Sequence, residues 1–421
     1  MELDAISQPE LEQIERTGGV DLVIGILGSD HRDQTCSPVA MTIEALRPLS
    51  RPLRAMVICN NGTHDASAAT PESPGDSRSP MVFSFSLPTP GPGETPQQSI
   101  SHAYRSILAI GGKLGVRACG VIASQGPRAA RGWIYPLVQP VLDLGFDLVG
   151  PCYTRRKTEG LLNRSVLAPL HRTLYGQQLQ NPMGPDFGLS GKLLQSLLQH
   201  GSMQRRGTEV NTLASIASAA ACGGFQVCES QLGVRTQGPT DWEDLSSLLV
   251  QILGSTFLEM ETRAANWQSI RGSRTLPRLG KPEAPEPDTG PALDVRSMIE
   301  SFQLGTRNLQ DVWGLLLPPT TLLELRALSR LPESQFRLPD QLWVRIVYDF
   351  ALGYHLRTMS RDHVLRSITP LYLAWIASYS LEIQAAEPAE VDMRIERLAR
   401  TYEDNKSYLV SRWRWPDRFN P

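Results

Sequence analysis

Residues 151–191 read PCYTRRKTEGLLNRSVLAPLHRTLYGQQLQNPMGPDFGLSG, with three consecutive cations (Arg155, Arg156, Lys157) near one end and an acid between glycines, Gly184-Pro185-Asp186-Phe187-Gly188, near the other. A run of cations has two readings, a solvated face or the charged rim of a ligand site. Asp186 also has two. Pro185 fixes the backbone before it, while Gly184 and Gly188 permit sharp turns and the close approach of a ligand. The alternative is an ordinary turn or cap residue.

Outward from this stretch the pattern alternates. Residues 20–27 (VDLVIGIL), bounded by glycines, read as a strand buried on both faces, ending in a polar loop. A helix around 39–46 leads to a second strand, 53–59, which runs into a loop carrying Asn60 and Asp65. Residues 81–87 alternate like a strand, and a helix follows over 97–114. Residues 118–123 (ACGVIA) read as a buried strand stopping at Ser124-Gln125-Gly126-Pro127; then come a helix at 133–144 and a strand at 147–150. Downstream lie a helix through His200, a helix from about Glu209 to Cys222, and a strand at 225–232 leading into Gly233-Val234-Arg235-Thr236-Gln237. Such alternation predicts an α/β sheet, in which ligands sit beyond the carboxyl ends of the strands.

Residues 241–268 are patterned as helix. Residues 275–291 (TLPRLGKPEAPEPDTGP) are proline-rich and polar, the composition of an extended connector. Beyond them the periodicity is helical over 295–309, 322–331, 339–357, 361–383 and 390–413. Leu342, Trp343, Ile346, Val347, Phe350 and Tyr354 make one apolar stripe, which reads as core. The expected division is therefore a sheet domain over 1–274, a connector over 275–292 and a helical domain over 293–421.

A chain of 421 residues is too long for one ordinary core. Lys plus Arg number 41 against 43 Asp plus Glu, so net charge gives no reason to expect nucleic acid or a membrane surface as partner. Six cysteines without a CxxC read as buried free thiols of a reducing compartment. The acidic N-terminus is unlike a secretion signal, and no apolar run reaches the length of a membrane span, so a soluble cytoplasmic protein is expected. There is no GxGxxG after the first strand, no Walker loop, no GxSxG and no HExxH. Dinucleotide, P-loop and triad-hydrolase chemistries are set aside.

The order of strand VIGI, strand VI-N, strand VIA-S, then GFDLVGPCYTRRKTEGLLNRSVLAPLHRTLYG, PMGPDFGLSG and GFQVCESQLG resembles the GT-A-fold nucleotide-sugar glycosyltransferases, in particular the glucosylglycerate and mannosylglycerate synthase-like group and the glucosyl-3-phosphoglycerate synthases. FRLPDQLWVRIVYDFALGYH and ITPLYLAWIASYSLE are similar to the helical tail of the glucosylglycerate synthase-like branch, so the resemblance spans about the whole chain. It implies a GT-A (Rossmann-like, mostly parallel mixed sheet) domain followed by an all-helical domain, acting on a nucleotide sugar and a small hydroxy acid, with a homo-oligomer left open.

By the same resemblance Asp186 and Glu209 are the catalytic candidates. Arg155, Lys157 and Asn163 would bind the acceptor, and Asn60, Asp65, Ser124 and Arg235 the donor. The donor half departs from the family. Two carboxylates in Asp-x-Asp spacing usually hold a divalent cation against the diphosphate, but the equivalent run here is Ala123-Ser124-Gln125, and Gln237 stands where relatives carry a metal-binding His. No metal and no other cofactor is therefore expected. Two functions follow: hexosyl transfer from a nucleoside diphosphate sugar to an acid such as glycerate, with arginines in place of the metal, or a pseudo-glycosyltransferase that keeps a binding or regulatory cleft and has lost the chemistry.

Overall fold

Apolar runs such as Leu22–Ile26 and Ala118–Ile122 become strands buried at every position. The structure is a computed structural model that describes residues 12, 14, 16, 18–27, 38–49, 53–59, 80–87, 96–123, 127–199, 212–235, 244–283 and 293–416. The strands are β1 (Leu22–Ile26), β2 (Arg54–Cys59), β3 (Met81–Ser86), β4 (Ala118–Ile122), β5 (Leu148–Thr154), β6 (Phe187–Ser190), β7 (Val227–Val234) and β8 (Arg278–Leu279). They form one eight-stranded sheet of order β3-β2-β1-β4-β6-β5-β7-β8. β1 is parallel to both β2 and β4, β2 to β3 and β7 to β8, whereas β6 runs antiparallel to β4 and β5. This is the mostly parallel mixed sheet that the resemblance implies.

The helices are α1 (Pro38–Leu46), α2 (Pro96–Lys113), α3 (Pro127–Leu144), α4 (Ala168–Tyr175), α5 (Gly191–Gln199), α6 (Thr212–Cys222), α7 (Leu245–Thr262) and α8 (Ala264–Trp267). After them come α9 (Val295–Asn308), α10 (Gln310–Gly314), α11 (Pro319–Leu328), α12 (Asp340–Leu356), α13 (Arg361–Ser367), α14 (Thr369–Ile383), α15 (Pro388–Asp404) and α16 (Lys406–Arg414). Among the described residues from 293 onward there is no strand. The aromatic stripe of α12 is core, with Trp343, Ile346, Val347 and Phe350 fully buried.

The chain forms two compact units whose borders differ from the expected division. One comprises Met1–Tyr153, Gln180–Gly233 and Leu276–Glu283; the other comprises Thr154–Leu179, Val234–Thr275 and Ala284–Pro421. Two physical reasons account for the difference. In the first unit, part of the expected connector is a strand: the buried Glu229 carboxylate of β7 accepts from the Arg278 guanidinium at 3.0 Å, and the Glu229 amide donates to the Pro277 carbonyl at 2.9 Å. A buried acid with an arginine directly opposite fixes the parallel pair, whatever the surrounding composition. In the second unit, Arg172 of α4 reaches Glu396 at 2.7 Å and Glu403 at 2.9 Å, both on α15, so the segment after β5 belongs with the C-terminal helices.

Candidate functional site

The antiparallel strand β6 determines where Asp186 lies. Its register pairs Val121 with Phe187 and Ala118 with Ser190, so the residue before β6 falls beside the carboxyl end of β4. Gly188 makes this packing possible: a Cβ there would lie 2.0 Å from the Leu137 carbonyl oxygen of α3, a collision with backbone that no rotamer relieves. Asp186 is fully buried. Its Oδ1 accepts from the Ala123 amide at 2.7 Å, and its Oδ2 accepts from the Tyr153 hydroxyl on β5. The preceding carbonyl, of Pro185, accepts from the Tyr104 hydroxyl of α2 at 2.8 Å. Hydrogen bonds to an ionised acceptor are the strong ones, so this carboxylate locks the ends of β4, β5 and β6 at the place where parallel order breaks.

Both Asp186 oxygens are engaged within the sheet. Among the described residues, no three His, Cys, Asp or Glu side chains are grouped as metal ligands would be.

In the second unit, the cationic segment turns back at Gly160, whose φ of +62° is left-handed. The Arg155 guanidinium lies against this glycine, with Nη1 1.8 Å from where a Cβ would stand. The Glu159 carboxylate accepts from the Arg156 backbone amide at 3.1 Å. Lys157 Nζ donates to the carbonyls of Gln384 at 3.0 Å and Ile383 at 3.4 Å, at the end of α14. Cations stabilise the negative end of a helix in this way.

Asn163 opens a π turn, Asn163–Leu167, in which the Ala168 amide donates to the Asn163 carbonyl. Pro169 explains both the turn and its partners. An α-helix would need the amide of residue 169 to satisfy the Ser165 carbonyl, and proline has none. That carbonyl instead accepts from Trp343 Nε1 at 3.2 Å and from the Tyr402 hydroxyl at 2.8 Å. His171, on α4, is buried, with its ring tilted against that of Tyr175 at a centroid distance of 5.1 Å. Desolvation pushes its imidazole down to about 3, so it is neutral.

Of the sequence-predicted site residues, Asp186 belongs to the first unit and Arg155, Lys157, Asn163 and Arg235 to the second. Arg235 follows directly on the last residue of β7 and is half-buried. Asn60, Asp65, Ser124, Glu209 and Gln237 lie outside the described residues. Sequence reasoning missed Tyr153, for which no signal existed, because its partner depends on the register of β6.

No protein-family model and no curated protein matches the chain. Among solved structures, a crystal structure described as a mycobacterial protein is 16% identical, covering 59% of this chain and 78% of that one with a TM-score of 0.34. Glucosyl-3-phosphoglycerate synthase from Mycobacterium tuberculosis in complex with phosphoglyceric acid is 16% identical over 60% of this chain and 84% of its own, with a TM-score of 0.32. Mannosyl-3-phosphoglycerate synthase from Rubrobacter xylanophilus is 14% identical over 62% and 80%, again with a TM-score of 0.32. These likenesses are distant. No helix among the described residues is long and apolar enough to cross a membrane.

Proposed function

We propose that this protein is a GT-A-type glycosyltransferase that moves a hexose from a nucleoside diphosphate sugar to a small hydroxy acid such as glycerate, in the cytoplasm and without a metal. The observation that carries the reading is the position of Asp186 at the end of β4. β1 lies between two parallel neighbours, β2 and β4, so the connections diverge from it, and crevices at such switch points receive ligands at the carboxyl ends of strands. The segments carrying Asn60, Asp65 and Ser124 follow directly on β2 and β4 in the chain.

In the reaction the acceptor hydroxyl attacks the anomeric carbon, the bond from that carbon to the phosphate oxygen breaks, and the nucleoside diphosphate departs with the negative charge. The hydroxyl proton passes to that leaving group or to solvent. Positioning and charge neutralisation supply most of the catalysis in such a transfer. Arg235 is our candidate for the leaving group, since a guanidinium stays charged and binds phosphate in a bidentate manner. Asp186 serves as a positioning residue. Glu209 remains the candidate for the acceptor hydroxyl.

One observation favours a second reading, a pseudo-glycosyltransferase: neither Ser124-Gln125 nor Gln237 offers a carboxylate or imidazole. Calorimetric titration with UDP- and GDP-sugars, with and without Mg²⁺ or Mn²⁺, followed by mass spectrometry of mixtures containing glycerate, separates the two. Metal-independent donor binding with a glycosylated acid as product supports transfer. Binding without product supports the pseudoenzyme, and absence of donor binding refutes the transferase.

A further inference from the structure

In the first unit, the strap of residues 276–283 carries an acid to the carboxyl end of β7. The strap is held in a fixed register, with Arg278 opposite Glu229 and Leu279 opposite Ser230. The buried Glu229 carboxylate anchors it through Arg278, and the Pro277 carbonyl accepts from the Glu229 amide. Four residues past that anchor, the Glu283 carboxylate lies against Gly233, with Oε2 2.6 Å and Oε1 3.0 Å from where a Cβ would stand. Gly233 has a left-handed φ of +75°, so both its backbone and the space beside it call for glycine.

The carboxyl end of β7 lies with those of β4 and β5. β4 and β5 both run antiparallel to β6, and β7 begins beside the start of β5, where the Asp147 and Leu148 amides donate to the Gln226 carbonyl at 2.7 and 3.1 Å. At the far end the Trp133 indole donates to the Leu232 carbonyl. The ring of Trp133 packs against Tyr153 at 5.8 Å, and the Tyr153 hydroxyl donates to Asp186. One line of contacts therefore runs from Asp186 to the residue before Gly233, along the edge where such sheets receive ligands. Arg235, the candidate for the leaving group, follows two residues after Gly233 in the chain. Glu283 is exposed, so its carboxylate can leave this seat for water without a desolvation penalty.

We propose that Glu283 is an autoinhibitory carboxylate: seated on Gly233, it holds the place of a phosphate at the carboxyl end of β7, and a nucleoside diphosphate must displace it to bind. The inference rests on the proposed use of a nucleoside diphosphate sugar and adds a control on that site. Two anions repel at close range, so the ligand binds the molecules whose seat is empty. A carboxylate seated about nine-tenths of the time weakens apparent binding about tenfold.

The test is calorimetric titration of the full chain with UDP, GDP, uridine and guanosine, using wild type, Glu283→Gln and, as an exposed control in the second unit, Glu333→Gln. Glu283→Gln keeps the size of the side chain and removes its charge. It is expected to tighten a nucleoside diphosphate about five- to tenfold at low salt, to leave the matching nucleoside unchanged, and to lose most of that gain at about 0.5 M salt. Glu333→Gln is expected to bind as wild type does, and all three proteins to melt together. Diphosphate binding seen in Glu283→Gln alone would support the proposal in its strongest form. Equal diphosphate affinity in wild type and Glu283→Gln, or weaker binding in the variant, would overturn the proposal and leave the transferase standing. Equal tightening of diphosphate and nucleoside would mark a block by volume and overturn it too, as would a Glu283→Gln protein melting several degrees below wild type. Binding of neither diphosphate by either protein would overturn both the proposal and the transferase.

Discussion

Asp186→Asn removes one charge and changes almost no volume, so it tests the strand-end lock directly. The carboxylate accepts from the Ala123 amide at 2.7 Å and from the Tyr153 hydroxyl, inside a site with no solvent exposure. An asparagine keeps one acceptor oxygen for the amide. Its NH₂ then faces Tyr153, whose hydroxyl can rotate to accept one hydrogen, and the other is left without a partner. Losing one charge-assisted bond and burying one unpaired donor costs about 2–3 kcal/mol. The first unit is of a size at which this lowers the melting temperature by roughly 4–12 °C. Differential scanning calorimetry reads the shift, and Tyr153→Phe, which leaves one carboxylate oxygen without that donor, is expected to lower it by a smaller amount. An Asp186→Asn protein that melts with the wild type would refute the lock and return Asp186 to a role in ligand binding.

Three further outcomes are expected. His171 is held neutral by burial, with its pKa at about 3 against an unfolded value near 6.5. Its contribution is complete above about pH 6.5 and is lost as pH falls toward 3, about 2 kcal/mol by pH 5. His171→Phe should therefore flatten the acid limb of urea midpoint against pH, and an unchanged limb would exclude the residue. Gly160→Ala places a Cβ at φ +62° and against the Arg155 guanidinium; it should cost about 1–3 kcal/mol, read as a lower urea midpoint, whereas an unchanged midpoint would show that this turn tolerates a side chain. Hexosyl transfer should survive EDTA and fall strongly in Arg235→Ala; loss of turnover in EDTA that Mn²⁺ restores would restore a metal to the mechanism.

The elements that were legible in the sequence are those whose signal is local. VDLVIGIL and ACGVIA are continuous apolar runs and the Leu342-to-Tyr354 stripe has helical spacing, and each is buried as that pattern predicts. β6 was not legible, because FGLS is too short to show alternation and its direction is set by pairing with β4 and β5. β8 was concealed by the prolines around it; it exists because Arg278 meets Glu229, a contact 49 residues apart. For the same reason the cation run gave only an ambiguous reading. Lys157 is claimed by a helix end 226 residues further on.

The carbonyl that Pro169 leaves unbonded sets a condition on how the chain is made. Ser165 waits for the Tyr402 hydroxyl, 237 residues downstream. At ribosomal speeds of about 5–20 residues per second, the partner emerges roughly 12–50 s later. Until Trp343 and then Tyr402 are made, the Ser165 carbonyl lacks these two donors, and Arg172 has neither of its glutamates. The second unit therefore cannot mature from front to back. It must finish after synthesis or be sheltered during it, and slowing translation between residues 175 and 396 should lengthen the aggregation-prone interval without altering any native contact.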